Sequence, residues 1–176
     1  ATPVQAAVTY ATDSTTTSAI PGLTGYSTTG EMMSGMSVTA TFSGGFTETR
    51  SWETAGLNAG GVTGTGWGLS LNGDTYSASW IFTMSGATAS PVPITQLILN
   101  GNPGYTVFDR TTYTYPNTGT AGSAQGSDLS FSDSSIEALV TYSDQVSISP
   151  DAALGDLWHM VTVDFTNGPA SSFIFY

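Results

Sequence analysis

Few side chains in this sequence could do chemistry. They are one histidine (His159), four tryptophans and thirteen acidic residues. His159 has Asp156 and several serines nearby in sequence, which invites comparison with a Ser-His-Asp triad. On an extended strand, however, Asp156 and His159 lie on opposite faces, and the sequence has no Gly-x-Ser-x-Gly elbow to present a nucleophile. The plain expectation is a histidine hydrogen-bonded on a sheet face. One histidine and no cysteine also make a poor ligand set for a transition metal.

The carboxylates are better grouped. Asp128, Asp133, Glu137 and Asp144 fall in one stretch, and Asp151 and Asp156 flank the loop that follows. Calcium takes several oxygen ligands from carboxylates and loop carbonyls. In a chain almost without cations, a divalent ion is a natural counter-charge. Calcium is therefore the cofactor this stretch suggests, although neither EF-hand spacing nor a calcium-binding repeat is present. The competing expectation is a set of solvated carboxylates that keep the protein soluble. Tryptophans stack on sugar rings as readily as they pack cores. Trp67 and Trp80 belong to an apolar hairpin face, which leaves Trp158 and Trp52 as candidate contacts for a glycan or a protein partner. Trp158 stands on the parity opposite Leu157 and Val161.

The elements that must carry these residues follow from periodicity. The chain of 176 residues is long enough for one domain with a real core. Charged residues make up only 9% of it, against a usual ~25%, and Ser, Thr and Gly fill the gap. With 11% aromatics and regular alternation, the chain reads as folded. The formal net charge is −11, there is no lysine, and Arg50 and Arg110 are the only arginines. That excludes a phosphate-binding footprint on nucleic acid and argues against attraction to anionic lipid. No apolar run approaches the ~20 residues of a membrane-spanning helix. The opening residues Ala1 to Ala7 read as the mature end left by signal cleavage or as the signal's last small-residue segment, and the absence of lysine is unusual for a cytosolic protein. We expect an exported, extracellular protein. The apolar stop at Phe173-Ile174-Phe175-Tyr176 suggests that further residues followed.

The centre of the pattern is Gly66 to Met84. Asn72-Gly73 is a strong signal for a two-residue hairpin turn, which predicts Leu71 opposite Asp74, Leu69 opposite Tyr76 and Trp67 opposite Ala78. Trp67, Leu69, Tyr76, Ala78, Trp80 and Phe82 then share one buried face. Met36 to Phe42 alternates as a half-buried strand, broken by Gly44-Gly45. Phe46 to Trp52 resumes with Glu48 and Arg50 on the parity of its aromatics, so it is either an edge strand or turns those charges to water. Ala55 to Gly66 is glycine-rich and loop-like. Ile94 to Leu99, Asp128 to Phe131, Ile136 to Tyr142 and Leu157 to Phe165 read as further strands, and Pro150 to Leu154 as a single helical turn. Many short strands without helical periodicity predict an all-β fold, an antiparallel β-sandwich of jelly-roll-like topology. Residues 19–176 form that single domain. Residues 1–18 are an N-terminal strand, with Val4, Ala6, Val8 and Tyr10 on one side, and a polar linker from Thr12 to Ser18.

Four segments carry a resemblance. They are GWGLSLNGDTYSASWIFTM (66–84), ITQLILNGNPGYTVFD (94–109), GTAGSAQGSDLSF (119–131) and ALVTYSDQVSISPDAALGDLWHMVTVDF (138–165). Together they resemble the ectodomains of bacterial PEP-CTERM proteins, which are exported and sorted by exosortases. The resemblance covers the chain from about Gly66 onward. In that family a Pro-Glu-Pro motif, a hydrophobic helix and a basic tail follow the ectodomain, and this sequence contains none of the three. The family is linked to exopolysaccharide, flocs and biofilm matrix, mostly without known enzymatic activity, and no catalytic residues carry over.

The resulting expectation is a non-enzymatic structural or adhesive protein of an extracellular matrix that self-associates and meets exopolysaccharide. As a filament subunit it would exchange the Val4–Tyr10 strand into the apolar edge at Phe173 to Tyr176 of a neighbour. The alternative is a carbohydrate-binding module on the same β-sandwich.

Overall fold

The computed structural model describes residues 28–75, 77–84, 92–110, 127–145, 157–169 and 171–176. Their strands form two antiparallel sheets packed face to face, the expected all-β sandwich. The chain enters at a 3₁₀ turn, Gly30–Met33, and forms β1 (Ser37–Phe42) and β2 (Thr47–Ser51) as a hairpin. Gly44 and Gly45 make the turn between them at φ 93° and 85°, a region L side chains avoid. The chain then crosses to the second sheet for a meander of β3 (Glu53–Gly56), β4 (Ala59–Thr63), β5 (Trp67–Asn72) and β6 (Trp80–Met84). It returns to the first sheet as β7 (Ile94–Asn100), β8 (Phe108–Asp109), β9 (Ala138–Gln145) and β10 (Leu157–Phe165). Finally β11 (Phe173–Phe175) pairs with β6.

The first sheet has six strands in the order β2-β1-β7-β10-β8, with β9 also paired to β10, and the second has five in the order β11-β6-β5-β4-β3. Alternation places Val38, Ala40 and Phe42 of β1 inward, as it does Leu97 and Leu99 of β7 and Val161, Val163 and Phe165 of β10. They meet Trp67, Leu69, Leu71, Trp80 and Phe82 from the facing sheet. Rings run through the interior without a break. Trp52 lies edge-on to Trp80 at 5.3 Å, Trp80 stacks on Phe175 at 5.7 Å, and Phe82 lies on Phe173 at 4.7 Å. Phe131 touches Phe165, Phe173 and Phe175.

The central hairpin has a different register from the one expected. Leu71 pairs with Trp80, Leu69 with Phe82 and Trp67 with Met84. Asn72 does not take the positive φ of a type I′ turn. Asp74 instead bridges Thr29 and closes a local turn, accepting the Ser77 N–H on Oδ1 at 2.7 Å and the Ala78 N–H on its carbonyl at 2.9 Å. The shift of Leu71's partner from Asp74 to Trp80 is even, so the faces stay sorted while Trp80, Phe82 and Met84 replace Asp74, Tyr76 and Ala78 as partners. Trp67, Leu69, Trp80 and Phe82 are buried as expected and Ala78 is half-buried, while Tyr76 lies outside the described residues.

Two further expectations change. The stretch read as a loop from Ala55 holds the end of β3 and all of β4, because its glycines fit where backbones nearly touch. A Cβ on Gly60 would lie 2.1 Å from the Gly30 carbonyl oxygen and 2.3 Å from the Trp52 Nε1. The segment read as a strand from Asp128 contributes a single bridge, Phe131 to Phe175. The residues assigned to the N-terminal strand and linker, 1–18, and to the helical turn at 150–154 lie outside the described residues, so Val4, Ala6, Val8 and Tyr10 are not placed.

Candidate functional site

Two surfaces gather the candidate residues. One is the end of the first sheet where β8, β9 and β10 meet. Arg110, just past β8, grips Asp128 with two bonds, Nε to Oδ1 at 2.7 Å and Nη2 to Oδ2 at 3.0 Å. Its guanidinium carbon also sits 4.3 Å from the ring centroid of Tyr142. The Tyr142 hydroxyl accepts the Leu129 N–H at 2.8 Å. Burial pushes the Tyr142 phenol above its ordinary value, with the Asp128 charge adding to the effect and Leu129 and Arg110 opposing it. The phenol therefore stays neutral through the physiological range. Together these groups clamp the 127–129 segment to β9.

His159 faces Asp144 across the β9–β10 pair, with Nδ1 3.3 Å from Oδ2. The distance suits an ion pair, but the alignment does not make a hydrogen bond, so the buried Nδ1 has none. The expected hydrogen bond on this sheet face is therefore not made by Nδ1, which lies against the Asp144 carboxylate without one. Trp158, next to it, is half-buried, and its Nε1 is buried with no hydrogen-bond partner.

Among the described residues, the carboxylates proposed to share calcium do not gather. Among the described residues no three His, Cys, Asp or Glu side chains form a group that could hold a metal. Asp128 is committed to Arg110, Asp133 accepts the Ser135 N–H at 2.8 Å, and Asp144 faces His159. Glu137 is exposed at the start of β9, where its N–H donates to the Asn167 side chain. Asp151 and Asp156 lie outside the described residues.

Trp52 is not available to a glycan. It is 1% exposed, and its Nε1 donates to the Gly30 carbonyl at 2.7 Å, because the 3₁₀ turn lies directly over it. Glu48, which alternation left uncertain, turns inward at the sheet margin. It accepts the Thr65 N–H and the Trp67 indole N–H, each at 2.7 Å, and pairs with Arg50. The Thr65 N–H, more than any other group, holds its carboxyl below the ordinary carboxylate value, helped by Trp67, the Thr65 hydroxyl and Arg50 against the cost of desolvation. The signal that could have found both arginine partners was in the composition: two arginines among thirteen acids will each be paired.

The second surface is the outer face of the six-stranded sheet. Its registers align three cross-strand rows. One runs Thr49, Thr39, Ile98, Thr162, Thr141, and the next Thr47, Thr41, Gln96, Asp164, Leu139. The third runs Ser51, Ser37, Asn100, Met160, Ser143. Asp164 is the only formal charge in these rows, and Gln96 Nε2 donates to it at 2.7 Å. Thr39 and Thr49 share a hydroxyl–hydroxyl bond of 2.7 Å, and Thr47 donates to Thr41 at 3.2 Å. The grid repeats at about 4.8 Å across strands and about 7 Å along them. Trp158 has the parity of Met160, Thr162 and Asp164, which puts it at the end of this face.

Comparison with known proteins finds no matching family model, no similar curated protein and no similar solved structure. Among the described residues no helix is long and apolar enough to cross a membrane.

Proposed function

We propose that this chain is a structural and adhesive protein of an extracellular matrix, a subunit that self-associates through strand exchange and works by surface contact rather than by turnover. The observation that carries the reading is the broad hydroxyl face of the six-stranded sheet, three rows deep with one paired carboxylate. Such a face offers many weak, uncharged hydrogen-bonding positions and no focal group, which suits extended contact. The resemblance to exosortase-sorted ectodomains supports the same setting outside the cell. Electron microscopy of the purified protein tests it: filaments or ordered aggregates are expected, and a strictly monomeric protein at high concentration would sink the proposal.

A second reading is a carbohydrate-binding module, favoured by Trp158 at the end of the hydroxyl face, where an aromatic plane beside hydroxyls suits a sugar ring. Co-sedimentation with insoluble neutral polysaccharides separates the two. A module of that kind binds as a monomer and loses binding on Trp158→Ala, whereas the matrix subunit assembles whether or not the glycan is present.

A further inference from the structure

Strand exchange needs an edge to receive the strand, and the expected one is closed. On its outer side β11 is already paired. Ser130 donates to the Tyr176 carbonyl, Tyr176 to the Ser130 carbonyl and Ser132 to the Ile174 carbonyl, at 3.1, 2.9 and 3.1 Å. Phe173 to Tyr176 is therefore not available as an acceptor.

The remaining edges among the described residues differ in how they are defended. Proteins blunt sheet edges with short strands, inward charges, prolines and bulges. Strand β2 carries the inward Glu48 and its partner Arg50. Strand β3 has four residues, a register shift against β4 and Gly56 at φ 144°. Strand β8 has two residues. Strand β9 has eight, pairs among the described residues only with β10, and from Ala138 to Ser143 holds no charge and no proline. Its one irregular position is Asp144, at φ 58° near its end.

The margin beside β9 is also incomplete. Ala138, Val140 and Tyr142 point toward the core yet are only half-buried, while Val161 and Val163, their neighbours on β10, are each 1% exposed. A further strand with an apolar inner side would bury them. The segment that fits lies in this same chain. Val4, Ala6, Val8 and Tyr10 alternate with uncharged residues, matching the uncharged run of β9. Residues 11–27, between that segment and Thr28, can span about 60 Å fully extended, more than the ~40 Å breadth of a domain this size.

We infer that β9 is the receiving edge and that the Val4–Tyr10 strand of a second copy pairs with its outer side. This deepens the assembly reading above and rests on it. The proposal predicts a ladder beside Ala138–Ser143 and burial of Val140 and Tyr142 under the donor's side chains.

The chain has no cysteine, so introduced thiols report without background. Single variants Gln5→Cys, Ala7→Cys and Thr9→Cys are each mixed with Leu139→Cys, Thr141→Cys or Ser143→Cys, and oxidised mildly. At least one mixed-copy disulfide is expected, since paired strands bring Cα atoms within the 4.4–6.8 Å a disulfide spans. Val8→Pro in the donor segment should abolish both the cross-link and assembly, and should bring the melting temperature down to that of the dilute, unassembled parent. Disulfides that form only within one copy of a Thr9→Cys/Thr141→Cys double variant would overturn the inference. Filaments seen by microscopy without any mixed-copy disulfide in the panel would overturn it too, while leaving the assembly reading intact. Absence of filaments in the parent protein overturns both.

Discussion

Glu48 sets a pH limit on the fold. Its carboxyl is held below the ordinary value of 4.5, first by the Thr65 N–H. A lowered folded-state pKa means that this contribution is fully present above the unfolded value and is lost as pH falls through the folded one. Asp133, lowered from 3.8 mainly by the Ser135 N–H, acts in the same direction. The melting temperature should therefore fall as pH drops below about 4.5, and Glu48→Gln should flatten that fall. A variant whose acid profile matches the parent's would show that Glu48 is not a source of the acid sensitivity. The contact of Gly60 with Gly30 and Trp52 is less forgiving. Gly60→Ala forces backbone apart, because the obstruction is a carbonyl and not a side-chain tip, and it should cost at least the ~1–3 kcal/mol of ordinary overpacking. Trp52→Phe leaves the Gly30 carbonyl without its indole donor and should cost about 1–3 kcal/mol. Urea unfolding measures both.

The strands were mostly legible in the sequence, and the pairing was not. Alternation located β1, β7 and β10 to within a residue or so, because each has one buried apolar face and one more exposed, mostly polar face. It could not choose between hairpin registers that differ by an even shift, since both sort the same faces. The partners decided the matter: Trp80 and Phe82 across from Leu71 and Leu69 bury more apolar area than Asp74 and Tyr76 would. Strand β4 was missed because glycine carries no periodicity, and its two buried positions, Gly60 and Val62, are set by the elements packed on them. Of the site, Trp158 and the run of acids along the chain were visible, but the Glu48 bonds, the Arg110 grip and the hydroxyl rows depend on strand neighbours that lie far apart in sequence. Strand β6 sits between β5 and β11 with Trp80 stacked on Phe175 and edge-on to Trp52. Trp80→Ala should cost about 3–5 kcal/mol in equilibrium unfolding, and a loss under about 1 kcal/mol would mean this face is not the centre of the core.

At the scale of the whole molecule, a net charge of −11 makes the compact state repel itself. Both arginines are already in ion pairs, with Glu48 and Asp128. Raising ionic strength from 0.01 to 0.15 M shortens the screening length from about 30 to about 8 Å and should raise the melting temperature. Calcium and sodium salts at equal ionic strength should then stabilise alike, since the described carboxylates do not gather. A clear excess for calcium, reversed by chelator, would instead establish a specific site. The pairing of β6 with β11 has a last consequence, for the timing of synthesis. Phe82 waits for Phe173, and Trp80 for Phe175, so the apolar flank of β6 stays uncovered until β11 has been made. At about 5–20 residues per second, that interval lasts roughly 5–20 s, during which the first half of the chain cannot close its own core. A ribosome stalled short of Phe173 would carry a chain whose β6 flank is still open to proteases and chaperones.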